Sequence, residues 1–272
     1  MKSIKLPSNY EMPVLGLGTW QLQGKLCTEA VKTAIRLGYT HIDTADAYNN
    51  HAEVGKAIKE SKVDRSKIFL TTKVWSTELH YKEVISNTNR FLTELQTDYI
   101  DLLLIHWPNR EIPMEEPFKA FKELVENKKV RSIGVSNFTI SHIKEAKSIS
   151  KVSIATNQVE YHPYLNQEEL LKYCIENNIV ITAYSPLARG RILKDSLLNE
   201  IAKKHKKTVS QVALKWLIQK GMIVIPKASS ESHLKENFDI FSFELTKEEI
   251  NSINSINKKE RVVNPGFSEF ED

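Results

Sequence analysis

Eight short runs rich in branched aliphatic residues recur along the chain without sustained apolar/polar alternation. They are VLGLG (14–18), HID (41–43), IFLTTKV (68–74), IDLLLIH (100–106), VRSIGVS (130–136), IATNQVE (154–160), IVITAYS (179–185) and MIVIP (222–226). A strand with one wet face alternates, whereas a strand covered on both faces does not, so such runs belong to a parallel sheet dressed with helices. The intervening stretches have helical period. In YKEVISNTNRFLTEL (81–95), Val84, Ile85, Thr88, Phe91, Leu92 and Leu95 recur at three- and four-residue steps and form one apolar stripe. Eight strand–helix units in 272 residues predict an α/β fold, a closed (β/α)8 TIM barrel forming a single domain over residues 1–272, rather than an open doubly wound sheet. Ahead of it, IKLPSNYEMPV (4–14) carries short apolar runs about a Ser-Asn turn and predicts a small β-hairpin.

Charge excludes little and composition somewhat more. Lys+Arg at 38 against Asp+Glu at 34 gives a net +4, too balanced a field to indicate nucleic acid as a partner. The densest basic stretch, KKHKK (203–207), follows DSLLNEIA in the acid-first, base-last order of a solvated helix end. Cys27 and Cys174 stand in separate predicted helices, which indicates neither a disulfide framework nor a zinc site. No segment approaches the roughly 18 uninterrupted apolar residues of a spanning helix, and the first residues lack a continuous apolar leader. A soluble, cytoplasmic protein without a membrane partner is expected.

In a barrel of this kind the strands' C-terminal ends converge on one mouth, and there the runs turn polar. They end at or include Asp43, Lys73, His106, Ser136-Asn137, Gln158, Tyr184-Ser185 and Lys227. Singly, each has an ordinary structural explanation: a helix cap, an edge charge, a hydrogen-bonded core histidine. Together they point to a site, because a lysine inside FLTTKVW is costly to bury without a carboxylate, and Asp43 lies one strand away. Tyr48 follows Asp43 by five residues. A phenol titrates near about 10, and a neighbouring ammonium is expected to make it a better acid. With His106 directing a hydrogen bond at a substrate oxygen, this set suits protonation of a carbonyl as hydride arrives.

At these residues the sequence resembles the aldo-keto reductase superfamily, in its short-tailed bacterial form. The motifs are HIDTADAYNNHAEVGKAI, FLTTKVW, LLLIHWP, IGVSNF, NQVEYHP, AYSPLARG and IPKASS, in order at barrel spacing. The resemblance implies NADPH-dependent reduction of aldehydes or ketones, with Tyr48 as proton donor, Asp43 and Lys73 as its supporting pair and His106 orienting the carbonyl. It also implies that Ser136, Asn137 and Gln158 bind the nicotinamide carboxamide and that Tyr184 stacks on the ring. Gly18, Thr19 and Trp20 would border the cofactor, Ser185 and Leu187 would cover the pyrophosphate, Lys227 and Ser229 would face the 2′-phosphate, and Asn237 the adenine. GLGTWQ places Gln21 where a third glycine would complete the usual dinucleotide fingerprint, so no Rossmann site is expected.

One departure concerns His233, where the family often has an arginine. Neutral imidazole cannot grip a phosphate as a guanidinium does, so NADH use alongside NADPH is expected. Trp20, Trp75 and Trp107 fall at or just past strand ends and, with Tyr48 and His106, would wall a pocket for small carbonyl compounds. The brief tail RVVNPGFSEFED (261–272) suggests a less enclosed pocket. No metal site is indicated, because His41, His106, His162 and Asp43 form no recognised ligand spacing. A monomer is expected by analogy. The competing reading is a nucleotide-binding sensor or regulator on the same barrel with little turnover.

Overall fold

The computed structural model describes residues 2–256 and 258–270. Strands β1 (Ser3–Lys5) and β2 (Glu11–Pro13) pair antiparallel as the expected hairpin. Eight parallel strands follow in sequence order: β3 (Leu17–Gly18), β4 (His41–Asp43), β5 (Phe69–Val74), β6 (Ile100–Ile105), β7 (Val130–Ser136), β8 (Ile154–Glu160), β9 (Val180–Tyr184) and β10 (Ile223–Val224). Bridges from Leu15 to Val224 and from Gly18 to Lys227 join the first strand to the last and close the barrel. The two strands at this seam are only two residues long, shorter than their apolar runs, because the ladder there reduces to isolated bridges.

Helices α1 (Gly24–Arg36), α2 (His51–Glu60), α3 (Tyr81–Glu94), α4 (Glu115–Glu126), α5 (Ile140–Ile149) and α6 (Glu168–Glu176) alternate with the strands. Then come α7 (Ser196–His205), α8 (Val209–Gln219), α9 (Glu231–Phe238) and α10 (Lys247–Asn254). The stripe read on α3 faces inward: Val84, Thr88 and Phe91 are buried, as is Leu95 just past its end. Thr139, Asp195, Thr208, Ser230 and Thr246 each accept a backbone N–H at a helix start, which fixes where those helices begin. Among the described residues no helix is long and apolar enough to cross a membrane.

The hairpin acts as a plug. Leu6 and Met12 pack with Phe69, Leu102, Leu104, Ala155 and Ile223 inside the barrel, apart from the larger core between strands and helices. With the N-terminal end filled, the polar strand ends at the other side are left to form a cavity.

Two features of the seam and interior yield tests. A Cβ on Gly18 would sit 2.6 Å from the backbone oxygen of Ile225, where nothing flexible can yield. Gly18→Ala should therefore cost about 1–3 kcal/mol in urea unfolding, and unchanged stability would show that the seam tolerates a wider gap. His41, fully buried in β4, is held down to about 4, first by burial, with Asp43 opposing. Its folded pKa lies below the unfolded value, so the unfolded chain binds the proton first and stability is lost as pH falls from about 6.5 towards 4. This residue alone accounts for up to about 3 kcal/mol of that loss. His41→Gln should flatten the slope of unfolding free energy against pH across that window; an unaltered slope would assign the acid sensitivity elsewhere.

Candidate active site

Asp43 ends β4 and Lys73 lies in β5, the adjacent strand, and the two side chains meet between them. Lys73 Nζ donates to Asp43 Oδ1 at 2.6 Å and to the Thr44 carbonyl at 2.8 Å, with both charged groups buried. The other carboxylate oxygen, Oδ2, accepts from Gln158 Nε2 at 2.7 Å, so β8 reaches across the barrel to the same acid. Burial lowers the pKa of Lys73 and Asp43 opposes it.

Tyr48 arrives on a 3-10 turn, Asp46–Tyr48, that follows β4. The turn is fixed at several points. Arg90 grips both oxygens of Asp46 at 2.9 Å, Gln23 Nε2 donates to the Tyr48 carbonyl at 2.6 Å, and Asn50 ties the loop to the carbonyls of Thr19 and Leu22. The Tyr48 ring lies with its centroid 5.0 Å from Lys73 Nζ and edge-on to His106 at 5.7 Å. His106, just past β6, also meets Trp75 edge-on at 5.2 Å, and its buried Nδ1 has no hydrogen-bond partner among the described residues.

The surroundings of Tyr48 act in the opposite direction to the sequence-based expectation. Its hydroxyl is pushed up rather than down, by burial and then by the Asp43 charge. The ammonium that was to acidify it is already answered by a carboxylate 2.6 Å away, so desolvation of the phenolate wins. His106 is held well below the usual imidazole range by burial and by Lys73, and it is neutral near pH 7.

A cavity of 680 Å³ opens over these groups. Gly18, Thr19, Trp20, Asp43, Tyr48, Trp75, His106 and Trp107 line it, together with Ser136, Asn137, Gln158, Tyr184, Ser185, Leu187 and Lys227. Lys73 lies behind this lining, reaching it through Asp43 and the face of Tyr48. Asn137 and Ser185 hold left-handed backbone (φ 62° and 45°) at the ends of β7 and β9, a conformation that turns the chain sharply at the rim. Tyr184 OH donates to Asn137 Oδ1 at 2.7 Å, and Asn137 Nδ2 donates to the His106 carbonyl and to Ser136 Oγ. The amide of Asn137 is thus an internal brace across three strand ends.

A second cleft of 520 Å³ shares Leu187 and Lys227 with the first and holds His233 and Asn237. The two spaces adjoin at those shared residues, the first walled by aromatic side chains and the second by basic ones. Ser229 is exposed and lines neither space. Among the described residues no cluster of three or more His, Cys, Asp or Glu could hold a metal ion.

Three features escaped the sequence. The short tail does not leave the mouth bare: Phe267 stands edge-on to both Trp75 and Trp107, Phe270 packs on Trp107, and Val263 lines the cavity. Glu160, fully buried at the end of β8, accepts the N–H groups of Val262 and Val263 at 2.6 and 2.8 Å and so anchors that tail. Arg189 lies 4.5 Å over the Trp20 ring, joining two loops across the rim. The aromatic residues of GFSEF were the one available signal for the first of these.

Comparison with known proteins agrees with this geometry. The chain is 43% identical over 261 residues to the glyoxal reductase of Bacillus subtilis, covering 96% of this chain and 94% of that one. Among solved structures, an aldo-keto reductase enzyme from a Medee basin deep-sea metagenome library superposes with a TM-score of 0.93 at 42% identity, covering 97% of each chain. The Bombyx mori aldo-keto reductase in complex with NADP superposes with a TM-score of 0.91 at 34% identity, covering 97% of this chain and 95% of that one. A family model described as the aldo/keto reductase family matches residues 14–258, and the chain belongs to that family.

Proposed function

We infer that the protein is an NADP-dependent oxidoreductase that reduces aldehydes and ketones to alcohols, acting as a single barrel domain over residues 1–272. The observation that carries this reading is the convergence of Tyr48, His106 and the buried Asp43–Lys73 pair at one cavity that shares Leu187 and Lys227 with a basic cleft. When bound, the cofactor supplies a hydride to the carbonyl carbon. Ser136, Asn137 and Gln158 are assigned to its carboxamide, Tyr184 to its ring, Ser185 and Leu187 to its pyrophosphate, and Lys227, His233 and Asn237 to its adenosine end. Gly18, Thr19 and Trp20 border it, and Ser229, by its resemblance to the family's motif, faces the 2′-phosphate.

Tyr48 is the general acid. Its raised pKa keeps the hydroxyl protonated at neutral pH, and the substrate oxygen, becoming an alkoxide, is basic enough to take that proton. Lys73, against the ring face, favours the phenolate left behind, and Asp43 holds Lys73 in place. Neutral His106 orients the carbonyl by hydrogen bonding. Trp20, Trp75 and Trp107 favour small carbonyl compounds with an apolar body. We further assign the protein to the cytoplasm and to a monomeric state, with no nucleic acid or membrane partner. No observation favours a sensor without turnover: the acid, its supporting pair and the open cavity are all in place.

Tyr48→Phe removes the acid while leaving the lining of the cofactor groove otherwise intact. It should bind NADPH like the wild type yet lose about 10²–10⁴-fold in kcat for a reactive aldehyde, followed by NADPH absorbance. Retained turnover would take Tyr48 out of its role. The adenosine end generates a second expectation. His233→Arg should raise the ratio of NADPH to NADH affinity by adding a fixed planar cation, whereas an unchanged ratio would show that His233 does not set the preference.

A further inference from the structure

The second cleft is more basic than its assigned residues account for. Lys203, Lys207, Lys227 and His233 line it against a single acid, Glu236. Glu236 is engaged by Thr208 Oγ1 at 2.6 Å. Two of the surrounding lysines are also engaged: Lys207 pairs with Asp239 at 2.5 Å, and Lys204, turned away from the cleft, pairs with Glu249 at 2.8 Å. Lys203 has no carboxylate within ion-pairing distance among the described residues, although it lies one position from a lysine that does. Within the solvated helix end KKHKK, the C-terminal turn of α7 brings Lys203 to the lining of the cleft that shares Leu187 and Lys227 with the cavity over Tyr48.

We propose that Lys203 is a specificity-determining residue, whose ammonium joins that of Lys227 in holding the phosphate that distinguishes NADPH from NADH. The proposal rests on the cofactor placement inferred above. The chemistry follows from how these cations are supported. Lys227 leaves the seam just after β10, while Lys203 comes from the end of α7, so two separate elements bring cations to one space. A phosphate dianion needs more than one cation, and the imidazole at 233 is not a fixed positive charge. A lysine supplies a point charge on a flexible stem that needs no fixed fork geometry. Lys203, Lys227 and His233 are all exposed, so their repulsion in the open cleft is screened by water, and an anion brought between the two ammoniums would be attracted by both.

The test titrates NADPH and NADH separately into the full chain, following protein fluorescence rather than turnover. Wild type is compared with Lys203→Met, Lys203→Arg and Lys206→Met, the last removing the same charge from a neighbouring residue outside the cleft. Lys203→Met should weaken NADPH about tenfold and leave NADH unchanged. Lys203→Arg should restore most of the NADPH affinity, and Lys206→Met should alter neither nucleotide. Unchanged NADPH affinity in Lys203→Met would overturn the proposal. So would equal weakening of both nucleotides, or the same loss in Lys206→Met, which would mark a general field effect. A wild-type chain that binds neither nucleotide would remove the cofactor placement together with the lysine's role.

Discussion

A charged lysine buried inside a strand is the constraint on which the site depends. Lys73 is fully buried, and an ammonium so far from water is tolerated only where a carboxylate and further acceptors replace its hydration. Asp43 Oδ1 and the Thr44 carbonyl supply them, and both sit at the end of the neighbouring strand. The pair therefore ties β4 to β5 at their C-terminal ends. Gln158 adds a third attachment by donating to the other oxygen of Asp43, so that a slip of β8 would also cost a buried hydrogen bond. Such a pair is a poor source of net stability, but removing either partner would leave the other charge stranded. Its contribution is the placement of three strands to within hydrogen-bond tolerance beneath Tyr48.

The rest of the molecule serves that placement from both ends. At the bottom, Leu6 and Met12 fill the barrel and Ser8 hydrogen-bonds Ser132 at 2.6 Å, so that end is closed by the chain's own side chains. At the top, a tail that looks like an afterthought in sequence is pinned by Glu160, whose carboxylate accepts two successive backbone N–H groups and the His162 ring. Glu269 accepts from His142 and Arg110, fixing the tail a second time. Val263 and Phe267 are consequently held at the cavity and against its tryptophans, which makes the wall of the pocket a joint product of strand ends and tail.

Much of this was legible from residue order because strand ends carry their chemistry in their identity. Asp43, Lys73, His106, Asn137, Gln158 and Tyr184 each interrupt an apolar run, and the closed barrel brings them together without further information. What was not legible is of another kind. The Glu160 anchor links residues 102 and 103 positions apart through backbone donors, which have no side-chain identity to read. The destination of Lys203 depends on the rotation of α7 about its axis, and the acid-to-base order along that helix describes its length, not its face.

The direction of the Tyr48 shift exposes a deeper limit of reading chemistry from neighbours. Proximity to Lys73 suggests an acidified phenol, but partial desolvation at the cavity wall raises the tyrosine's pKa instead, and Asp43 adds a negative charge nearby. An ammonium and a carboxylate in contact present a dipole rather than a charge to a third group, and a dipole is too weak to offset desolvation. Acidity in the resting site is therefore not the property that makes Tyr48 an effective donor. Donation becomes favourable only as charge builds on the acceptor, when a hydroxyl fixed beside an oriented ion pair needs little reorganisation to respond. On this view the barrel's role is to hold a weak acid in place until the substrate becomes a strong base.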